Sequence, residues 1–155
     1  MHQAAIAVFA LACLLASVID FRHRRLPNWL CAATGLAGLG FGLAGGGWAL
    51  AGSQALHGLI VLAVGIGLYA IKWFGAGDAK FWAGIAAWFP LSKAPLLLVS
   101  VAIGAVMLVF VWFVLRRLLG RKAVKDGRRS GGELPFGVAI SLGAAMAYFI
   151  GSGAA

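Results

Sequence analysis

The sequence predicts an all-α, polytopic membrane helix bundle of about six transmembrane helices with both termini external. Three observations carry that prediction. Of the 155 residues, 63% are hydrophobic and only 11% are charged, where soluble domains carry about 25% charged residues. The apolar residues gather into runs that approach the ~20 residues needed to cross a bilayer. The basic residues fall between alternate runs, so all of the 13 Lys and Arg except Lys93 sort to one side. The positive-inside rule makes that side cytoplasmic.

The runs follow in order. The first spans about Ala4–Ile19. Met1-His2-Gln3 has no cationic region before it, so it is expected to be a retained helix with an outside N-terminus, not a cleaved signal. Arg22, Arg24 and Arg25 separate it from a second run, about Trp29–Ala44, which Gly45-Gly46-Gly47 ends. The third is about Ala49–Ile71. Lys72 and Lys80 flank its junction with the fourth, about Ala79–Phe89, which Pro90 ends. That fourth run is short: some 11 residues rise only ~16 Å against a ~30 Å hydrocarbon core. The fifth is about Pro95–Leu115 and the sixth about Phe136–Ile150. Between them, residues 116–133 form the one long polar, basic segment. One membrane-embedded domain over residues 1–155 accounts for the length, and no internal repeat is visible.

The net charge of +9 follows from this topology and from attraction to anionic membrane lipid, and it calls for no nucleic-acid partner. Glycine is abundant, at 23 residues. The four-residue spacing of Gly38, Gly42 and Gly46 suits close helix contact. Cys13 and Cys31 lie inside apolar runs without a CxxC spacing and read as small buried hydrophobes, so neither a metal site nor a redox pair is expected. No cofactor is implied. Ser53, Gln54 and His57, within the third run, read as interhelical hydrogen-bonding groups. Trp73, Trp82, Trp88 and Trp112 read as packing or interface aromatics.

Against this background the acids stand out. There are four: Asp20, Asp78, Asp126 and Glu133. A carboxylate at the edge of hydrocarbon is costly and usually has a task or a partner. Asp20 ends the first run and Asp78 precedes the fourth, so the charge map puts both at the cytoplasmic face. If those two helices pack side by side, the carboxylates can share a water. Two close carboxylates cannot both ionise easily. The ionised member can take a proton from water and the protonated member can give one to a carbonyl, which is the chemistry of peptide-bond hydrolysis. Which acid has which role is not readable here. His23 is the only histidine near this face, so no Ser or Cys nucleophile with a nearby base competes. Gly75 and Gly77 flank the approach to Asp78, where they permit backbone conformations closed to other residues and close approach of another chain.

These residues carry a resemblance. Asp20 followed by Leu26-Pro27-Asn28 resembles the first motif of the type IV prepilin peptidases. Gly75-Ala76-Gly77-Asp78-Ala79-Lys80 resembles their Gly-x-Gly-Asp-x-Lys motif, and Glu133-Leu134-Pro135-Phe136-Gly137 a Pro-Phe-Gly stretch before the last helix. The resemblance covers about residues 5–150. It implies a GxGD membrane aspartyl protease with Asp20 and Asp78 as the catalytic pair. Support would come from Pro27, Asn28, Gly75, Gly77, Lys80, Pro135, Phe136 and Gly137. The substrate implied is a prepilin or pseudopilin, whose leader is cut at the cytoplasmic face of the inner membrane. No methyltransferase region or four-Cys zinc site of the larger members is expected here, and the resemblance is to the short peptidases of tight-adherence (Flp) pili. Presenilin-like GxGD proteases pair this motif with Tyr-Asp and Pro-Ala-Leu, whereas here Ile19 precedes Asp20.

Each acid also has an ordinary reading. Asp20 could pair with Arg22 or Arg24, and Asp78 could cap the fourth helix. From another class, a small proton-coupled transporter or channel would use Asp20, Asp78 and His57 as a relay. A relay needs polar groups through the midplane, and only Ser53, Gln54 and His57 approach it. A non-catalytic assembly scaffold is the third alternative.

Overall fold

The computed structural model describes residues 2–23, 25–118 and 136–152. The expectations placed on Arg24, on most of the basic segment, and on Asp126, Glu133 and Pro135 fall outside those residues. Five α-helices make up the described chain: α1 His2–His23, α2 Asn28–Ala70, α3 Ala76–Ala86, α4 Ala94–Leu118 and α5 Phe136–Ser152, with a 3-10 turn Leu91–Lys93 before α4. Three stretches are long and apolar enough to cross a membrane: Gln3–His23, Asn28–Ala70 and Leu91–Val114. Phe136–Gly151 is apolar but shorter.

The second and third predicted runs are joined in α2, whose 43 residues would extend ~65 Å if straight. They do not run straight. Gly47 sits at φ 66°, ψ −163°, a conformation that essentially only glycine adopts without strain. It folds α2 into two arms, residues 28–46 and 48–70, that return alongside each other. Beyond the fold, Gly42 lies directly against the Gln54 side chain.

α3 fills the gap between these arms. On one arm, a Cβ added to Gly38 would meet Ala87 O at 2.6 Å, and one added to Gly84 would meet Cys31 O at 2.6 Å. On the other, a Cβ at Gly65 would meet the Ala79 side chain at 2.8 Å. Missing side chains thus let three backbones approach closely, as at membrane helix contacts. Gly38 and Gly42 belong to this contact face, but Gly46 does not. It is exposed, and a side chain there would meet only Leu50, just past the fold at Gly47. α4 and α5 pair by the same device, with Gly104 against Ala139 O and Gly143 against the Val101 backbone.

The helix expected at Ala79–Phe89 starts three residues earlier and stops at Ala86. Pro90 prevents its continuation. The carbonyls it would leave unpaired are captured. Gln54 Nε2 donates to Trp88 O at 3.2 Å and His57 Nδ1 to Phe89 O at 3.0 Å. Ser53 Oγ accepts Leu91 N–H at 3.0 Å. The three polar residues of the third run do make hydrogen bonds, but to the turn that follows α3 and to the 3-10 turn at Leu91, not from helix to helix. Around them, Phe9 of α1 meets Trp88 edge-on at 5.1 Å and stacks on Tyr148 of α5 at 4.9 Å. The outward faces carry Leu11, Leu14, Leu98, Val106 and Phe110, all exposed. Such a continuous apolar exterior suits lipid, not water.

Candidate active site

Asp20 lies in the last turn of α1 and is only 5% exposed. The carboxylate faces the start of α5, where Gly137 N–H donates to Oδ2 at 2.8 Å. A Cβ on residue 137 would stand 2.9 Å from Oδ2 and 3.0 Å from Cγ, so a side chain there would displace the acid.

Asp78 is the third residue of α3. The N-cap is Gly75, at φ −74° and ψ 142°, and no side chain caps the helix. Asp78 is therefore not the N-cap, although it does lie in the first turn of α3, at the positive end of the helix dipole. Its carboxylate instead folds back over Gly75, where a Cβ would meet Oδ2 at 2.7 Å. The reason for the glycines also needs correcting. Gly47 is the one glycine with positive φ among the described residues, so Gly75 and Gly77 do not serve by unusual backbone conformation. Gly75 leaves room for a carboxylate. A Cβ on Gly77 would stand 3.4 Å from Leu26 N, an ordinary contact.

The two acids act on each other. Asp78 stands ahead of the apolar stretch of α3 and outside every helix long enough to cross a membrane. Burial pushes its carboxyl up from 3.8 to about 7, and the charge of Asp20 adds to the rise. A carboxyl that ionises near neutrality beside a second carboxylate is the electrostatic arrangement a general acid needs.

The helices bearing the acids do not lie along one another, so the side-by-side packing posed as a condition for a shared water is not met by whole helices. α1 packs chiefly on α5, and α3 chiefly on α2. What joins them is the set of motif residues at this end of the bundle. Pro27 is the N-cap of α2, and its carbonyl accepts the N–H of Leu30 and Cys31. Asn28 Oδ1 accepts Lys80 Nζ at 3.0 Å, tying the start of α2 to α3. Phe136 meets Phe74 at 5.7 Å, tying the start of α5 to the segment before Asp78.

Two contributors had been given no role at the site. The Cys31 thiol reaches Gly77 O at 3.9 Å, and Phe74 packs on both Trp82 and Phe136. Cys31 stands one turn after Asn28, on the same helix face, and that spacing was the available signal. His57 belongs elsewhere: it lines an apolar cavity of about 370 Å³ with Val61, Trp82, Leu91, Pro95 and Leu97, and neither aspartate lines that cavity. Among the described residues no cluster of three His, Cys, Asp or Glu could hold a metal ion.

The family model described as the type IV leader peptidase family matches residues 7–120, a stretch that includes both acids. No curated protein and no solved structure matches the chain.

Proposed function

The chain belongs to the type IV leader peptidase family, and from that premise we propose that it is an aspartic endopeptidase that removes the leader of prepilin-like proteins, with Asp20 and Asp78 as its catalytic pair. The observation that carries this reading is the electrostatic coupling of two buried or half-buried carboxylates drawn from α1 and α3. Cleavage proceeds in two steps. The ionised carboxylate takes a proton from water as the water oxygen adds to the scissile carbonyl carbon, while the protonated carboxyl gives its proton to the carbonyl oxygen. The tetrahedral intermediate then returns a proton to the pair. The carbon–nitrogen bond breaks as the leaving amine takes up the proton gained from water.

Pro27, Asn28, Gly75, Gly77, Lys80, Phe136 and Gly137 support the pair by packing and hydrogen bonding, and Pro135 belongs to the same motif. The proposed setting is the bacterial inner membrane, with about six crossings in one domain, both termini external and the acids at the cytoplasmic face. The substrate's apolar stem lies in the bilayer and its leader in the cytoplasm.

The test is co-expression with a candidate prepilin, following leader loss as a mobility shift on a gel. Asp20→Asn and Asp78→Asn should each leave the precursor uncut while the enzyme accumulates normally. Normal processing by either variant ends the proposal.

A further inference from the structure

The two carboxylates of the pair are not held alike. Asp20 receives the N–H of Gly137 at 2.8 Å in a buried setting, while among the described residues no backbone N–H donates to Asp78. Gly137 is the second residue of α5, so its N–H is one that the helix itself leaves unpaired, at the positive end of the helix dipole. Helix α5 is also held firmly where it delivers that group. Ser141 Oγ donates to Cys13 O of α1 at 3.2 Å, Gly143 packs against the Val101 backbone, and Phe136 rests on Phe74. Helix α5 itself lies outside residues 7–120, the stretch that matches the family.

We infer that Gly137 is a positioning residue for Asp20: its N–H, delivered through space that only a residue without a side chain leaves open, holds Asp20 as the ionised member of the pair and leaves the shared proton to Asp78. This rests on the reading of the two acids as the catalytic pair. A carboxylate accepting a charge-assisted bond from a fixed amide is stabilised relative to its protonated form. In the first step Asp20 then takes the proton from water and Asp78 gives one to the carbonyl oxygen.

Other ionisable groups border the pair. Lys80 comes from α3 and is bonded to Asn28. Arg22 and His23 of α1, and Arg25 beyond it, are exposed. Cys31 comes from α2 and bonds Gly77 O. Helix α5 brings no acid or base before Tyr148, which packs on Phe9. Among the described residues none of these groups is hydrogen-bonded to Gly137, whose N–H goes to Asp20.

The test is the pH–rate profile of leader removal by the purified full-length enzyme in lipid nanodiscs, acting on a prepilin precursor. Two variants are compared with the unaltered chain. One is Gly137→Ala. The other replaces Gly137 by glycolic acid, which exchanges the N–H for an ester oxygen and adds no side chain. The ester variant should lose roughly tenfold to a hundredfold in maximal rate, the size of one bond to a charged group. Its ascending limb should move toward neutrality by about one pH unit, with the descending limb in place.

Gly137→Ala should lose at least as much; if it fails to accumulate, the ester variant decides. An ester variant with an unmoved profile, or with a lower profile whose limbs stay in place, overturns the inference. Asp20→Asn and Asp78→Asn run alongside. Cleavage by either removes the pair and this inference with it, whereas inactive Asn variants beside an unmoved ester profile remove this inference alone.

Discussion

The α3 segment ends in two polar clusters of opposite character. Beyond its C-terminal end, the carbonyls of Trp88 and Phe89 are taken up by Gln54 and His57, and Trp88 Nε1 donates to Thr34 O at 2.8 Å. Each of these bonds relieves a group that the apolar surroundings would penalise; among the described residues, Gln54 Oε1 alone in this cluster lacks a donor. At the N-terminal end, Asp78 is half-buried with the charge of Asp20 acting on it. Here the neighbour raises the cost of ionisation instead of lowering it. Polar groups that pair off hold a structure together, while like groups forced together store a proton. The same short helix presents both arrangements, and only the second has chemistry to offer.

The sharpest way to break this contrast is to neutralise the forced pair. Asp20→Asn or Asp78→Asn should reduce leader removal by roughly a thousandfold or more, read as uncut precursor on a gel. Next is pH. Burial first, and the Asp20 charge second, hold the Asp78 carboxyl at about 7 against an ordinary 3.8. Its proton is therefore present at pH 6 and gone at pH 8. Cleavage should fall about tenfold per pH unit once pH rises above that value.

The same shift has a consequence for folding. The folded state favours the protonated acid, so its stabilising effect is complete below about 3.8 and is lost as pH rises through about 7. Thermal unfolding in detergent should come earlier at pH 8 than at pH 6, and Asp78→Asn should flatten that difference.

A smaller effect is expected at the tie between motifs. Lys80→Met removes an exposed bond to Asn28 and should slow cleavage by about fivefold. The smallest effect on activity belongs to the other cluster. His57→Leu leaves the Phe89 carbonyl unpaired and should cost about 1–3 kcal/mol of stability, measured by thermal unfolding. Cleavage per folded molecule should be unchanged. Equal loss of cleavage from His57→Leu and Asp78→Asn would erase the distinction between the two ends.

The meeting of Asp20 and Asp78 at one end of the bundle was legible from charge alone. Lys and Arg mark which ends of the runs share a face, and the acids follow from that map. The lateral order of the helices was not legible, and whether α1 stands beside α3 stayed open in the sequence. Hydropathy records how deeply a residue sits but not which helix stands beside it. That choice is made by backbone approach at Gly38, Gly65, Gly84 and Gly143, and 23 glycines give too many possible partners to choose from sequence. The start of α3 was misplaced because Ala76 and Gly77 read as a loop by composition, whereas the packing of Gly77 on Leu26 and of Ala79 on Gly65 draws them into the first turn. Gly137 was recognised as part of a motif, but its distance of 117 residues from Asp20 concealed what its amide touches.

The turn at Gly47 decides a matter of parity. A chain that threads back and forth returns to a given end of the bundle only after an even number of passes. Because α2 reverses at Gly47, Asn28 and the residues after Ala70 emerge at the same end, and Gly77 meets Leu26 there. Were α2 to run through as one rod, every later segment would change ends, and Asp78 would be carried to the pole opposite Asp20. The meeting of the two acids thus depends on a residue some distance from both, whose contribution is to keep the count even.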